Sequence, residues 1–322
     1  MRVVVSGLGF MGATHAGVWS RMAGVELYGV VSRDPGKHST GGNLGRDAVP
    51  LDFSRVKTFH TLEEALRDDA VDAVDLCTPT DRHAPEAMAC LRAGKHCLVE
   101  KPLALTGELA DHVIQEAERS GRILMTAQVL RFMPAYVAAK EQVGQLGPVR
   151  AATFRRRCAA PAWSQWLTDP ERSGGGAFDL LIHDVDYARW VFGLPRSVRA
   201  SGAVDPKRGI DTLAGELDFD GFTVAVMGGW HLTGDYPFSM EFTILCDGGV
   251  LEYSSATGDL NLFPIGGPKE TVKLPPGDAF EQELAHFRDC VNRGTASLVC
   301  PPRESADAVK IMESLVKSRA RC

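Results

Sequence analysis

Along the first 125 residues, short β-branched runs alternate with stretches whose apolar positions recur at helical spacing. Arg2 to Ser6, Val25 to Ser32, Ala73 to Cys77, His96 to Glu100 and Arg122 to Thr126 read as strands, and their near-continuous apolar character implies burial on both faces. Helices are expected after Gly12, over Thr61 to Asp68, from Pro85 to Ala93 and from Gly107 to Ser120. Such alternation predicts a doubly wound parallel sheet. From about Val149 the rhythm becomes strand after strand, over Val198 to Val204, Thr212 to Phe219, Thr223 to Trp230, Glu241 to Cys246 and Gly249 to Tyr253, with Gly, Asp and Pro turns between them. Amphipathic helices are expected at Gly176 to Phe192, Phe280 to Asn292 and Ser305 to Ser318. The predicted class is α/β. A parallel-sheet domain over 1–125 precedes an α+β domain over 126–322, built on a large, mostly antiparallel sheet, from which the chain can return to pack on the first domain. A cleft between the two is the expected place for chemistry.

Composition narrows this picture. The 322 residues are 44% hydrophobic and 24% charged, with a formal net charge of −6 and no Lys/Arg run able to track phosphates, so nucleic acid is not an expected partner. Eight cysteines occur without a C-x-x-C pair, which predicts reduced thiols and neither a disulfide framework nor a metal cluster. The N-terminus enters a hydrophobic strand directly, unlike a secretory leader, and no apolar run approaches a membrane span. Cytoplasm is the expected location.

The first strand runs into Gly7-Leu8-Gly9-Phe10-Met11-Gly12, a G-x-G-x-x-G between strand and helix, as in a Rossmann dinucleotide-binding domain. Gly7 allows the tight turn, Gly9 admits a pyrophosphate to the backbone N–H groups at the helix N-terminus, and Gly12 allows helix and strand to pack closely. At the tip of the second strand, where an acid would hold the ribose 2′-hydroxyl of NAD, stand Ser32, Arg33 and Asp34. Ser32 and Arg33, with Lys37 as a second cation, suit the 2′-phosphate of NADP, so NADP is modestly favoured over NAD.

Farther along come Cys77-Thr78-Pro79-Thr80 with His83, Gly94-Lys95-His96, and Glu100-Lys101-Pro102 at a strand end. The stretch Asp75 to Pro102, with TPTDRH, LRAGKH and the E-K-P tripeptide, resembles the glucose-fructose oxidoreductase, inositol dehydrogenase and rhizopine-catabolism family, Gfo/Idh/MocA. With the glycine loop, the resemblance spans nearly the whole chain. Thr78, Pro79, His83 and Glu100 are expected beside the cofactor. The residues themselves place a cation, Lys101, at the carboxyl end of a parallel strand, where ligands bind in open α/β sheets. The resemblance implies that Lys101 contacts the substrate and the nicotinamide ribose.

The helix after Gly174-Gly175-Gly176 predicts a buried stripe of Phe178, Leu181, Val185, Ala188 and Phe192, with Asp179, His183, Asp186 and Trp190 on another face. Asp179 and His183 are neighbours one turn apart, and this D-x-x-x-H spacing matches the family's catalytic pattern. Taking a hydride from a carbinol carbon releases the hydroxyl proton, which needs a base of near-neutral pKa. His183 is the candidate. Asp179 orients the imidazole or holds an adjacent hydroxyl, Lys101 polarises the same oxygen, and Asp186 braces the helix. Arg131, in an R-F-x-P-x-Y segment resembling the family's, is expected either to meet substrate or to stitch domains. Trp163, in a loop with Trp166, offers an aromatic face for a sugar ring. Arg155 and Arg157 share a face if their stretch is a strand.

The resemblance implies an NAD(P)-dependent oxidoreductase acting on a sugar, sugar derivative or cyclitol, without a metal. Alternatives are an NAD-dependent glycosidase that retains its cofactor, as in one branch of the family, and a non-catalytic nucleotide sensor. A homodimer or homotetramer is expected, because the family's open antiparallel sheet commonly packs face to face.

Overall fold

A computed structural model describes residues 1–32, 54–161, 164–231 and 234–319. They form two compact units, the first comprising Met1–Val129 and Phe280–Ala306, the second Leu130–Ala279 and Asp307–Cys322.

In the first unit six strands pair in parallel: β1 (Arg2–Ser6), β2 (Glu26–Val31), β3 (Lys57–Phe59), β4 (Ala73–Leu76), β5 (His96–Glu100) and β6 (Leu124–Ala127). Their order across the sheet is β3-β2-β1-β4-β5-β6. The direction of winding therefore reverses beside β1 and β4, the switch point outside whose carboxyl ends open α/β sheets bind ligands. The helices are α1 (Phe10–Trp19), α2 (Leu62–Leu66), α3 (Thr80–Arg92) and α4 (Gly107–Ser120). Thr106 caps α4 by accepting from Leu109 N at 3.2 Å, and Gly121, at φ 64°, ends it in the left-handed region that glycine enters without strain. Helix α3 begins five residues before the expected Pro85. That proline lies inside the helix near its start, where it costs one backbone hydrogen bond without breaking the helix. The short β3 was not foreseen, because three residues show no period. Helix α8 (Ala279–Arg293) lays Phe287 edge-on against Trp19 at 6.4 Å and Glu281 against Arg21 at 2.6 Å.

The second unit holds an eight-stranded sheet in the order β14-β13-β12-β11-β7-β10-β9-β8, all neighbours antiparallel except β7 and β10. Its strands are β7 (Val149–Ala159), β8 (Ser197–Asp205), β9 (Ile210–Asp218), β10 (Thr223–His231), β11 (Ser239–Cys246), β12 (Gly249–Ser254), β13 (Leu260–Pro264) and β14 (Glu270–Thr271). The central β7 escaped the hydrophobic pattern, because charged Arg155, Arg156 and Arg157 occupy its second half. Helices α5 (Pro134–Val143), α6 (Pro170–Ser173), α7 (Gly176–Phe192) and α9 (Pro302–Arg319) complete the chain. Helix α7 packs on one sheet face, where Ala152, Phe154, Arg156, Val224, Val226, Phe242 and Ile244 are buried. Among the described residues the cysteines are free, and no helix is long and apolar enough to cross a membrane.

Candidate active site

The glycine loop separates structural glycines from a permissive one. A Cβ on Gly7, at φ 91°, would lie 2.8 Å from Cys77 O, and one on Gly12 only 1.8 Å from Gly7 O. Both are glycine because backbone crowds them. Gly9 differs: its backbone is extended at φ −66°, and a Cβ there would meet nothing within 4 Å. Among the described residues no neighbour demands glycine at this position, and the backbone at the start of α1 is bare. The first turn, with Phe10 and Met11 half-buried, carries neither an acidic residue nor a side-chain cap. That combination fits an approaching pyrophosphate. Ser32 follows β2, half-buried, with its N–H donated to Phe59 O at 3.0 Å. Arg33 and Lys37 lie outside the described residues.

The loops after β4 and β5 place three of the expected residues in contacts within the protein. Thr78 Oγ1 donates to Glu86 Oε2 at 2.6 Å. His83, buried in α3, places Nδ1 2.7 Å from Pro102 O and Nε2 2.8 Å from Thr78 O, so its ring stitches the two loops together. Glu100 is buried, with Oε2 accepting Lys101 N at 3.0 Å and Oε1 3.2 Å from His15 Nε2. Pro79 precedes α3, and Lys101 is half-exposed.

In the second unit the glycine run is demanded by packing. A Cβ on Gly175 would lie 2.2 Å from Asp211 Oδ2, and one on Gly176 2.3 Å from the Trp230 ring. Helix α7 thereby starts pressed against the sheet, and it is buried almost all round rather than along one stripe. From Gly176 to Ala188 only Asp179 and His183 keep solvent access. Asp184 and Asp186, on the buried sides, are met by arginines. Arg156 donates to Asp184 through Nε and Nη2, both at 2.9 Å, while Arg131 reaches Asp186 through Nε at 2.9 Å and Nη2 at 2.7 Å. Burial opposes the charge of Arg156, and Asp184 more than offsets it, so the guanidinium pKa rises. Arg131 is 2% exposed and lies under the Trp190 ring, contacts that tie it to α7. Asp186 braces the helix, as its position suggested. Arg155 pairs with Glu241, and Arg157 lies 5.4 Å from the Tyr236 ring centre. Trp166 is half-buried, and Trp163 lies outside the described residues.

His15 belongs to no motif in the sequence, and the structure places it at the centre of a buried polar network with Asp75, Trp19, Cys77 and Glu100. The only signal for it was a histidine on the helix leaving the glycine loop.

A parallel sheet in this order, a glycine loop at its switch point and a second unit built on a broad mixed sheet define a Rossmann-type α/β unit joined to an α+β unit. The model of the oxidoreductase family with an NAD-binding Rossmann fold, Gfo/Idh/MocA, matches residues 1–128, and that of the family's C-terminal domain matches residues 136–252. The chain belongs to this family. It is 37% identical over 139 residues to 1,5-anhydro-D-fructose reductase of Ensifer adhaerens, an alignment covering 42% of each chain. It is 27% identical over 326 residues to D-xylose 1-dehydrogenase (NADP(+)) 2 of Haloferax volcanii, covering 96% of each. In two of the matches the chain spans about half the length of the curated relative. Aldose-aldose oxidoreductase from Caulobacter crescentus, 23% identical, has the same fold with a TM-score of 0.85 over 100% of this chain and 98% of that one.

Proposed function

We propose that this protein transfers a hydride between a nicotinamide dinucleotide and a CH–OH or carbonyl carbon of a sugar, sugar derivative or cyclitol. The observation that carries the reading is α7: a helix buried on nearly every side whose two accessible positions, Asp179 and His183, form a carboxylate–imidazole pair one turn apart. Relatives whose names denote reductases and dehydrogenases of sugars and inositols support the substrate class.

The dinucleotide supplies the hydride acceptor or donor. Gly7, Gly9 and Gly12 form its phosphate loop, with Phe10, Met11 and Pro79 beside it. Ser32, together with Arg33 and Lys37, favours the 2′-phosphate of NADP, although relatives carry names for either cofactor. His183 takes the hydroxyl proton as hydride leaves the carbinol carbon, and returns it in reduction. Asp179 orients the imidazole or holds a neighbouring hydroxyl. Lys101 polarises the reacting oxygen, stabilising the charge that develops there. Cytoplasmic location and self-assembly belong to the same proposal. The sheet face opposite α7 exposes Met227 (50%), Leu245 (42%) and Phe263 (39%), apolar surface that suits a second copy.

Titration with NADPH and NADH, followed by a screen of sugars and polyols, tests the reading. Lys101→Ala and His183→Ala should each lower kcat by about 10²- to 10⁴-fold with little change in dinucleotide Kd, and full activity in either variant overturns the assignment. Ser32→Asp should move preference towards NADH, and a retained NADPH preference removes the role given to the β2 tip.

A further inference from the structure

A line of buried polar groups crosses the first unit from β4 through α1 to β5. Asp75, fully buried on β4, accepts from Trp19 Nε1 at 2.7 Å and lies 2.9 Å from His15 Nδ1. His15, fully buried on α1, places its other nitrogen 3.2 Å from Glu100 Oε1. This contact is an ion pair without directed hydrogen-bond geometry. The second Glu100 oxygen accepts the backbone N–H of Lys101. Cys77 Sγ lies 3.5 Å from His15 Nδ1, and the Phe280 ring of α8 packs 6.2 Å from the imidazole.

Two buried carboxylates need a cation between them, or one takes up a proton. Burial by itself lowers the pKa of His15, but Asp75 and Cys77 raise it well above the ordinary value, which keeps the ring charged. His15, Asp75 and Cys77 stand close enough together for a metal, yet a protonated ring and a thiol pushed up by burial offer poor ligand lone pairs.

We propose that His15 is a positioning residue for Lys101. It ties Glu100 to the fixed Asp75–Trp19 pair, so that Glu100 Oε2 holds the first peptide N–H beyond β5 and with it the stem of the lysine. The inference rests on the role of Lys101 given above. It assigns a reason for Glu100 to precede Lys101: the carboxylate faces inward, and its work is to hold the lysine's backbone.

A histidine that served only the core would need to satisfy only Asp75, and two substitutions separate these cases. The amide of His15→Asn reaches the Nδ1 position and serves Asp75, whereas the amide of His15→Gln reaches the Nε2 position and serves Glu100. Hydrogen exchange of the Lys101 amide, read by NMR on the full chain without ligand, should stay slow in His15→Gln and become about tenfold faster in His15→Asn, the factor expected for loss of one hydrogen bond. With NADPH and a substrate found for the unsubstituted protein, kcat should fall in His15→Asn and recover in His15→Gln, while NADPH Kd holds in both. Retained Lys101 protection in His15→Asn overturns the proposal, as does equal loss in the two variants. If neither variant folds, the ring ¹⁵N shifts of His15 in the unsubstituted protein at about pH 8, above the ordinary histidine pKa of about 6.5, decide the matter. Two protonated nitrogens support the bridge, and a neutral ring overturns it. A protein that binds dinucleotide but oxidises no sugar would remove the functional reading, and the exchange result would still judge the bridge between His15 and Glu100.

Discussion

A methyl group added at Gly9 and one added at Gly12 meet different surroundings. At Gly12 the new Cβ would sit 1.8 Å from Gly7 O, so the loop must move, and Gly12→Ala should destabilise the protein by about 1–3 kcal/mol, read as a lower urea midpoint. At Gly9 the backbone is already open to alanine and the methyl has room. Gly9→Ala should leave the urea midpoint unchanged while NADPH Kd rises at least about tenfold, a cost of about 1.4 kcal/mol. Unchanged affinity would mean that no phosphate approaches this backbone. At this scale the sequence displayed residue types and spacings, which sufficed to single out Gly7, Gly9, Gly12, Lys101, Asp179 and His183 as candidates. It did not display burial. Arg131 and His15 therefore could not be sorted, since an arginine beside a ligand and an arginine inside an ion pair look alike until the partner, Asp186, folds onto it.

Helix α7 shows the same limit at the scale of the element. Its 3.6-residue period foretold a helix from Gly176 to Phe192, and the structure places it over those residues. The expected division into a core stripe and a polar face fails, because Arg131 and Arg156 allow Asp186 and Asp184 to be buried as well. Removing one partner of such a pair strands a charge in the interior. Arg131→Met should therefore cost about 3–5 kcal/mol in urea unfolding, and adding Asp186→Leu should recover much of the loss. The double variant should keep the sugar KM of the unsubstituted protein. A raised KM with unchanged stability would return Arg131 to the substrate. The short strands β3 and β14 went unseen for a related reason: their pairing comes from neighbouring strands, and two or three residues carry no period of their own.

For the whole molecule, the alternation of runs and helices announced a parallel sheet followed by a mostly antiparallel one, and both are present. A ligand that binds only the folded form adds stability by mass action, about 2.7 kcal/mol at a free concentration of 100 times Kd. Hydrogen exchange under saturating NADPH should gain its largest protection in Met1–Val129 and Phe280–Ala306. A gain confined to the eight-stranded sheet would assign the nucleotide to the wrong unit. The return of Phe280–Ala306 to the first unit is fixed by long-range contacts such as Arg21 with Glu281, 260 residues apart, and Trp19 with Phe287.

The sequence by itself determined the periodic elements, the change from parallel to antiparallel rhythm, the glycine loop and the spacing of Asp179 from His183, because each is written within a few neighbouring residues. Only the tertiary structure decided the order of the strands, the parallel pairing of β10 with β7, which polar side chains turn inward, and the line from Asp75 through His15 to Glu100. Those features depend on which distant groups share a buried space, where an unpaired charge is costly and a paired one is held in place.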